Sequence, residues 1–433
     1  MALVTRLTGL EILDSRGRPT VLATCALASG AEASASVPSG ASTGAAEAIE
    51  QRDGDVSRYG GLGCRTAARL IGGEIADALV GSDIATQRNL DDMLIALDGT
   101  PNKRRLGANA ILAVSLAFAR AVSIERGIPL YRQFAEIAGA QLHLLPRPMI
   151  NLFSGGKHAG GQVSIQDLLL VPASAATIDD ALAMTYAVYQ EAARLVYRKY
   201  RMRALTADEG GLAPEFPTTE AMIEDAIEAI SAAGLAPGRD VALAMDVAAS
   251  HTYLDHRYHL DGRSLESAEM IAQVSDWLDS YPIISVEDAL AEDDWEHWPL
   301  LRQRVAGRAL VLGDDLLCTS PARIQRAAAM GAADALLLKV NQIGTISEAL
   351  DAARLARSAG WSVTVSARSG ETEDNWLADL AVGWQGDYIK IGSITQSERL
   401  AKYNRLLSIA AETGMPLGPL QHTVPPVASS QGR

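Results

Sequence analysis

The alternation of apolar and polar positions divides the chain into two regimes. Between residues 3 and 38, LTGLEIL, TVLATCALA and EASASV alternate or stay apolar, with turn residues at 14–18 and 29–30. Runs of this kind predict a strand meander. Helical periodicity follows over 64–82, 84–96 and 107–126. The last of these is apolar on most sides, as a buried helix is. Strands followed by helices predict an α+β cap. Beyond it, PMINLF and SIQDLLLVP read as strands, and then six short apolar runs each deliver an ionisable residue at or near their C-terminal end. VALAMD reaches Asp246, PIISVED Glu287, ALVLGDD Asp314 and Asp315, DALLLK Lys339 and SVTVSAR Arg368, while DYIKIG carries Lys390. The carriers recur at intervals of about 20 to 40 residues, one βα unit each. Buried strands alternating with helices predict a parallel sheet closed into a β/α barrel, whose strand C-termini share one face. The fold class expected is therefore α/β, an N-terminal α+β cap followed by a β/α (TIM-like) barrel. The boundary is expected at 135–146, giving units of 1–138 and 139–433.

Helix starts are well marked in the second unit. Thr345 and Glu348 have the spacing of a capping box, and Ser320 precedes Pro321 as an N-cap precedes proline at N1. The final helix is expected over 397–413, ending at Gly414, with an irregular tail after Pro416.

Composition narrows the function. With 433 residues, 48% hydrophobic and 21% charged, the chain has ample material for a core. No apolar run approaches the ~20 residues of a membrane span, and the N-terminus lacks an apolar signal core, so a cytoplasmic home is expected. Cys25, Cys64 and Cys318 are odd in number and far apart, which favours neither disulfides nor zinc. A net charge of −14 argues against a nucleic-acid surface. It also means that an anionic substrate must be met by locally concentrated cations or metal.

The strand-end residues supply that chemistry. Asp246, Glu287 and Asp314 offer only carboxylate oxygens, the donor set that suits magnesium. A single strand-end acid commonly caps a helix or pairs with a lysine; three at successive strand ends point to a metal. Lys339 closes a leucine run, so desolvation and nearby cations are expected to depress its pKa towards that of a general base. His158, flanked by glycines, reads as loop-borne and functional. The DEGG segment at 208–211 and the small-residue loop at 38–44 are weak signals alone.

In order along the chain, PSGASTG, IEQRDGD, LGANAILAVSLA, ADEGG, LAMDVAAS, SVEDAL, GDDL, LLLKVNQIGT, RSGETED and YIKIGS resemble the enolase family over essentially the whole length. The resemblance implies reversible loss of water from a 2-phosphoglycerate-type substrate, with two Mg²⁺ sites. Asp246, Glu287 and Asp314 match ligands of the first ion, and Ser42 a contact to the second. Lys339 matches the base that removes the proton next to the carboxylate, a lysine–magnesium pairing known for this superfamily. Glu209 matches the acid that helps the hydroxyl depart. Arg368 and Ser369 match phosphate contacts, Lys390 a carboxylate contact, and His158 lies on a loop that closes over the substrate. Metal and Lys390 would neutralise charge where it develops, and closure of the 39–43 and 155–161 loops would exclude water. A small phosphorylated partner and a homodimer or higher homo-oligomer are implied.

Four positions depart from the family pattern. Asp167, a candidate substrate contact, stands for glutamate, Ala367 for histidine, Ser154 for asparagine and Ala207 for glycine. The first two fall on the acid side of the site, where a misplacement of about 1 Å can cost roughly 10²-fold. Both also shrink side chains. They suggest a specialised paralogue that keeps the magnesium-enolate chemistry but accepts an altered phosphoryl substrate, similar to the enzymes that make carboxyphosphonoenolpyruvate in phosphinate antibiotic biosynthesis. The alternatives are an ordinary phosphopyruvate hydratase and an inactive binding protein on the enolase scaffold. Retention of Lys339, Glu209, Arg368, Lys390 and the three metal carboxylates argues against the inactive scaffold.

Overall fold

Antiparallel strands β1 (Ala2–Leu13), β2 (Pro19–Leu27) and β3 (Glu32–Ser36) form a meander, extended beyond β1 by the short β4 (Asp83–Ile84). This is a computed structural model describing residues 2–40, 44–203 and 205–421. The β1–β2 turn is held by Asp14, whose Oδ1 accepts from the backbone N–H of Arg16 (2.8 Å) and Arg18 (2.9 Å). Helix Ala108–Glu125 packs against β2 and β3. It is long and apolar enough to cross a membrane by length and composition, yet most of it is buried inside the fold.

The 64–82 stretch is not one regular helix. Helices Arg65–Leu70 and Ala76–Leu79 flank a π-turn at Ile71–Ile75, where Gly73 leaves helical geometry. Consecutive glycines weaken a helix at that point.

The barrel strands are β5 (Arg147–Ser154), β6 (Asp167–Pro172) and β7 (Val241–Asp246). A separate small sheet of β8 (Tyr253–Leu254), β9 (Arg257–Leu260) and β10 (Arg263–Leu265) follows. The barrel resumes with β11 (Ile283–Glu287), β12 (Leu310–Gly313), β13 (Ala335–Leu338), β14 (Ser362–Ser366) and β15 (Tyr388–Gly392). The ring closes in the order β11-β12-β13-β14-β15-β5-β6-β7.

One expectation fails here: the barrel is not wholly parallel, because β6 runs antiparallel to both β5 and β7. The reason is local. No α-helix separates β5 from β6, and a chain that turns back without a crossover must pair antiparallel. Two helices, Ile178–Tyr200 and Thr219–Ala232, then lie between β6 and β7, which restores the direction of the rest.

Inside the ring, Met149, Leu169, Ala244, Ile284, Leu337 and Tyr388 pack together and are buried. The barrel is thus a filled core rather than a pore, which leaves chemistry to the strand C-termini. The last helix, Ser397–Thr413, ends at Gly414 in the left-handed conformation, as the sequence predicts. Thr345 caps helix Ile346–Ser358 by accepting from the Glu348 N–H.

Candidate active site at the barrel mouth

Strand register brings the acids together. Glu287 at the end of β11 lies beside Asp246 at the end of β7, and Asp314 directly follows β12 on the other flank. From β15, Lys390 Nζ donates to Asp246 Oδ2 at 2.8 Å and to Glu287 Oε2 at 2.7 Å. Lys339, just past β13, pairs with Asp314 Oδ2, whose other oxygen accepts from Gln342 Nε2 at 2.8 Å. Asp246, Glu287, Asp314 and Lys390 are buried, and Lys339 is half-buried.

Crowding sets the electrostatics. Burial and then the neighbouring Asp246 push Glu287 well above the usual carboxylate range. Burial also opposes ionisation of Asp246, but Lys390 prevails and holds it down at about 2. Lys390 itself is driven well above its ordinary value, since Asp246 and Glu287 outweigh the cost of burial. Lys339 corrects an expectation. Burial does work to lower it, but contact with Asp314 reverses the outcome and its pKa is raised. The sequence shows that Lys339 ends a buried strand; it does not show a carboxylate directly on the ammonium.

On the acid side, His158 Nδ1 lies 2.9 Å from Asp167 Oδ2, and Nε2 faces Glu209 Oε1 at 3.9 Å. Against the cost of burial, these two carboxylates push the imidazole up to about 9. Asp167 is 0% exposed, sits behind His158 and accepts from Ser154 Oγ at 2.6 Å. Glu209 accepts from Asn151 Nδ2 at 3.0 Å. Burial would raise Glu209, yet His158 and then Arg399 hold it below the usual range, so it is ionised.

The third wall is cationic. Arg368 makes a two-pronged contact with Glu47, Nη1 to Oε2 at 3.0 Å and Nη2 to Oε1 at 3.2 Å, and also donates to Asn341 Oδ1 at 3.1 Å. Arg399 Nη2 donates to the Ser369 carbonyl at 2.6 Å. Ser39 and Gly370 are backbone partners, so the segment leading to the 41–43 loop is stitched to the residues after Arg368. Ser42 lies outside the described residues.

These walls enclose a tight cavity of about 20 Å³. His158, Glu209, Asp246, Lys339, Arg368 and Lys390 all line it, together with Ala367 and Ser369. A larger cleft between Arg88, Arg126 and Leu350 carries the ion pair Arg126–Glu136 at 2.6 Å on its wall. Sequence reasoning missed Glu47, Gln166, Gln342 and Asp288. Gln166 Nε2 donates to Asp246 at 3.1 Å, and Asp288 accepts from the N–H groups of Asp314 (3.0 Å) and Asp315 (2.7 Å). The only signal for Asp288 was its place directly after Glu287; single polar residues in loops gave none for the others.

Carboxylates and ammonium groups converging on one cavity at the C-terminal end of a β/α barrel define an enzyme that handles a small anion. Residues 142–417 match the family described as "Enolase, C-terminal TIM barrel domain", and residues 4–134 match "Enolase, N-terminal domain". A curated relative from Acidothermus cellulolyticus, named "Enolase", is 46% identical over 412 residues, 95% of each chain. The chain belongs to the enolase family, and it is a carbon–oxygen lyase of the hydro-lyase type. Enolases are magnesium-dependent, and the buried carboxylate oxygens at this mouth are hard donors of the kind that ion takes. Burial and then the neighbouring Asp246 raise Glu287, and a bound cation would relieve both.

Proposed function

We propose that the chain eliminates water from a 2-phosphoglycerate-like substrate and that its pocket is specialised for an altered phosphoryl group, such as a carboxyphosphono analogue. The observation that carries the finer reading is Ala367, whose small side chain lines the cavity with His158 and Lys390. Where the family pattern has histidine, a methyl leaves room. The ordinary phosphopyruvate hydratase stands as the second reading, favoured by the 46% identity and by the intact Ser154–Asp167–His158 chain of contacts.

In this reading Asp246, Glu287 and Asp314 hold the first Mg²⁺, and Ser42 contributes to a second. Bound magnesium supplies positive charge opposite the substrate carboxylate as negative charge builds there. Lys339 takes the proton next to that carboxylate. It becomes a usable base only when the charge of Asp314 is engaged elsewhere, as by a bound cation. Lys390 orients the carboxylate, and Arg368 and Ser369 receive the phosphoryl group. Glu209 sits where it can pass a proton to the departing hydroxyl. Since Glu209 is ionised against His158, the imidazolium is the nearby proton store, and Asp167 positions it. The same reading makes residues 1–138 a cap on a catalytic barrel of 139–433, in a cytoplasmic homodimer.

The test is ultraviolet detection of enol product from 2-phosphoglycerate, with and without Mg²⁺, beside Lys339→Ala. Robust turnover lost in that variant identifies an ordinary enolase and sinks the specialised substrate. Negligible turnover, with carboxyphosphono analogues consumed, supports the specialised one. Activity on neither would overturn both.

A further inference from the structure

We propose that Arg16, in the turn between β1 and β2, is a positioning residue that fixes Ser369 as a hydrogen-bond donor to the substrate's anionic group. The inference rests on the reading of Ser369 as a substrate contact. Arg16 lies on the N-terminal hairpin turn, 353 residues from Ser369 in sequence, yet its Nη1 donates to Ser369 Oγ at 3.1 Å. A guanidinium can only donate. Ser369 Oγ must therefore accept from it, and the hydroxyl hydrogen points away from the guanidinium. Ser369 lines the cavity, so this hydroxyl belongs to the wall where an anion would be read.

The rest of the Arg16 fork is also committed. Nη2 donates to the Ser39 carbonyl at 2.9 Å and to Asp14 Oδ2 at 3.0 Å, and Nε to Asp14 Oδ2 at 3.3 Å. One buried side chain thus ties the hairpin, the entry to the 41–43 loop and the Ser369 hydroxyl into a single arrangement. The pairing with Asp14 cancels its charge locally, so Arg16 acts through hydrogen-bond direction more than through attraction. Gly370 is part of the same device: a methyl there would overlap both the terminal nitrogen of Arg16 and the carboxylate of Asp14. Backbone bonds dock the hairpin independently, as in Ser15 N–H to the Glu371 carbonyl at 2.7 Å. Loss of the Arg16 fork should therefore leave the hairpin in place.

The test measures binding of inorganic phosphate to the Mg²⁺-loaded protein by calorimetry, for Arg16→Gln, Arg16→Lys, Ser369→Ala and the Arg16→Gln/Ser369→Ala double variant. Arg16→Gln and Ser369→Ala should each weaken phosphate binding about tenfold, the size of one charge-assisted hydrogen bond. The double variant should be no weaker than Ser369→Ala alone, and Arg16→Lys should recover part of the loss. An effect of Arg16→Gln that persists undiminished without the Ser369 hydroxyl overturns the inference and leaves the Ser369 reading intact. Unchanged binding in Ser369→Ala sinks the Ser369 reading, and the inference with it. Should Arg16→Gln fail to fold, Arg16→Lys and Gly370→Ala disturb the same fork, and normal phosphate binding in both would overturn the proposal.

Discussion

Ser154 donates its hydroxyl to Asp167 at 2.6 Å, so two of the positions that depart from the family pattern are in direct contact. A shorter acid is met by a shorter donor, and Asp167 still reaches His158 at 2.9 Å. The pair behaves as one unit. Ser154→Ala should cost roughly 1–3 kcal/mol, because it takes a partner from a fully buried carboxylate. Asp167→Asn should cost more, about 3–5 kcal/mol, because it removes the nearer counter-ion of His158 and leaves Glu209 at 3.9 Å. The double variant should fall short of the sum by at least about 0.5 kcal/mol. Urea denaturation of the set checks this, and simple additivity would show that the contact carries no coupling.

Ala367 is 5% exposed and lines the cavity, so Ala367→His puts an imidazole on that wall. Under the specialised reading, that change should raise kcat/KM for 2-phosphoglycerate at least about tenfold while lowering it for bulkier phosphoryl analogues. A native enzyme that already turns over 2-phosphoglycerate well, and loses activity on Ala367→His, would count against specialisation.

Most of this site was legible because it is written at strand ends. A short apolar run that stops at a charge needs no tertiary information to be noticed, and Asp246, Glu287, Asp314, Lys339 and Arg368 announce themselves in that way, while Lys390 stands out as a charge inside an apolar strand. Direction was less legible. The reversal of β6 depends on a missing crossover helix, and the glycine-rich 155–161 segment looks like any loop. Contacts across domains left no trace at all. Glu47 on Arg368 and Arg16 on Ser369 join residues hundreds of positions apart, and no local pattern encodes such pairs. The raised pKa of Lys339 belongs to the same category, since it depends on which oxygen the ammonium meets. Ala207 proves harmless to the backbone, because it does not occupy a left-handed conformation that would favour glycine.

His158 gives a pH dependence with a definite sign. Its pKa rises from 6.5 to about 9 on folding, because Asp167 and Glu209 overcome the cost of burial. A raised folded value means that the stabilisation is fully present below about pH 6.5 and is lost as pH climbs through about 9. The full effect is at most about 3 kcal/mol. His158→Gln should therefore flatten the decline in stability between those two limits and leave the acid limb unchanged. Urea titrations at a series of pH values measure it; an identical alkaline decline in the variant would assign the loss to other groups.

Lys390 stands between Asp246 and Glu287 and is their shared counter-ion. Lys390→Met would leave both buried carboxylates without it, at a cost of about 3–5 kcal/mol in the presence of a chelator. If these acids bind Mg²⁺, the ion should replace part of the missing charge, so added magnesium should stabilise Lys390→Met more than the native protein. Native protein should itself gain about 2.7 kcal/mol when Mg²⁺ reaches a hundred times its dissociation constant. Asp314→Asn should weaken that gain, since it removes charge from one of the oxygen donors without removing bulk. Thermal denaturation across a magnesium titration distinguishes the cases. A Lys390→Met protein indifferent to magnesium would show that Asp246 and Glu287 serve the lysine rather than a metal.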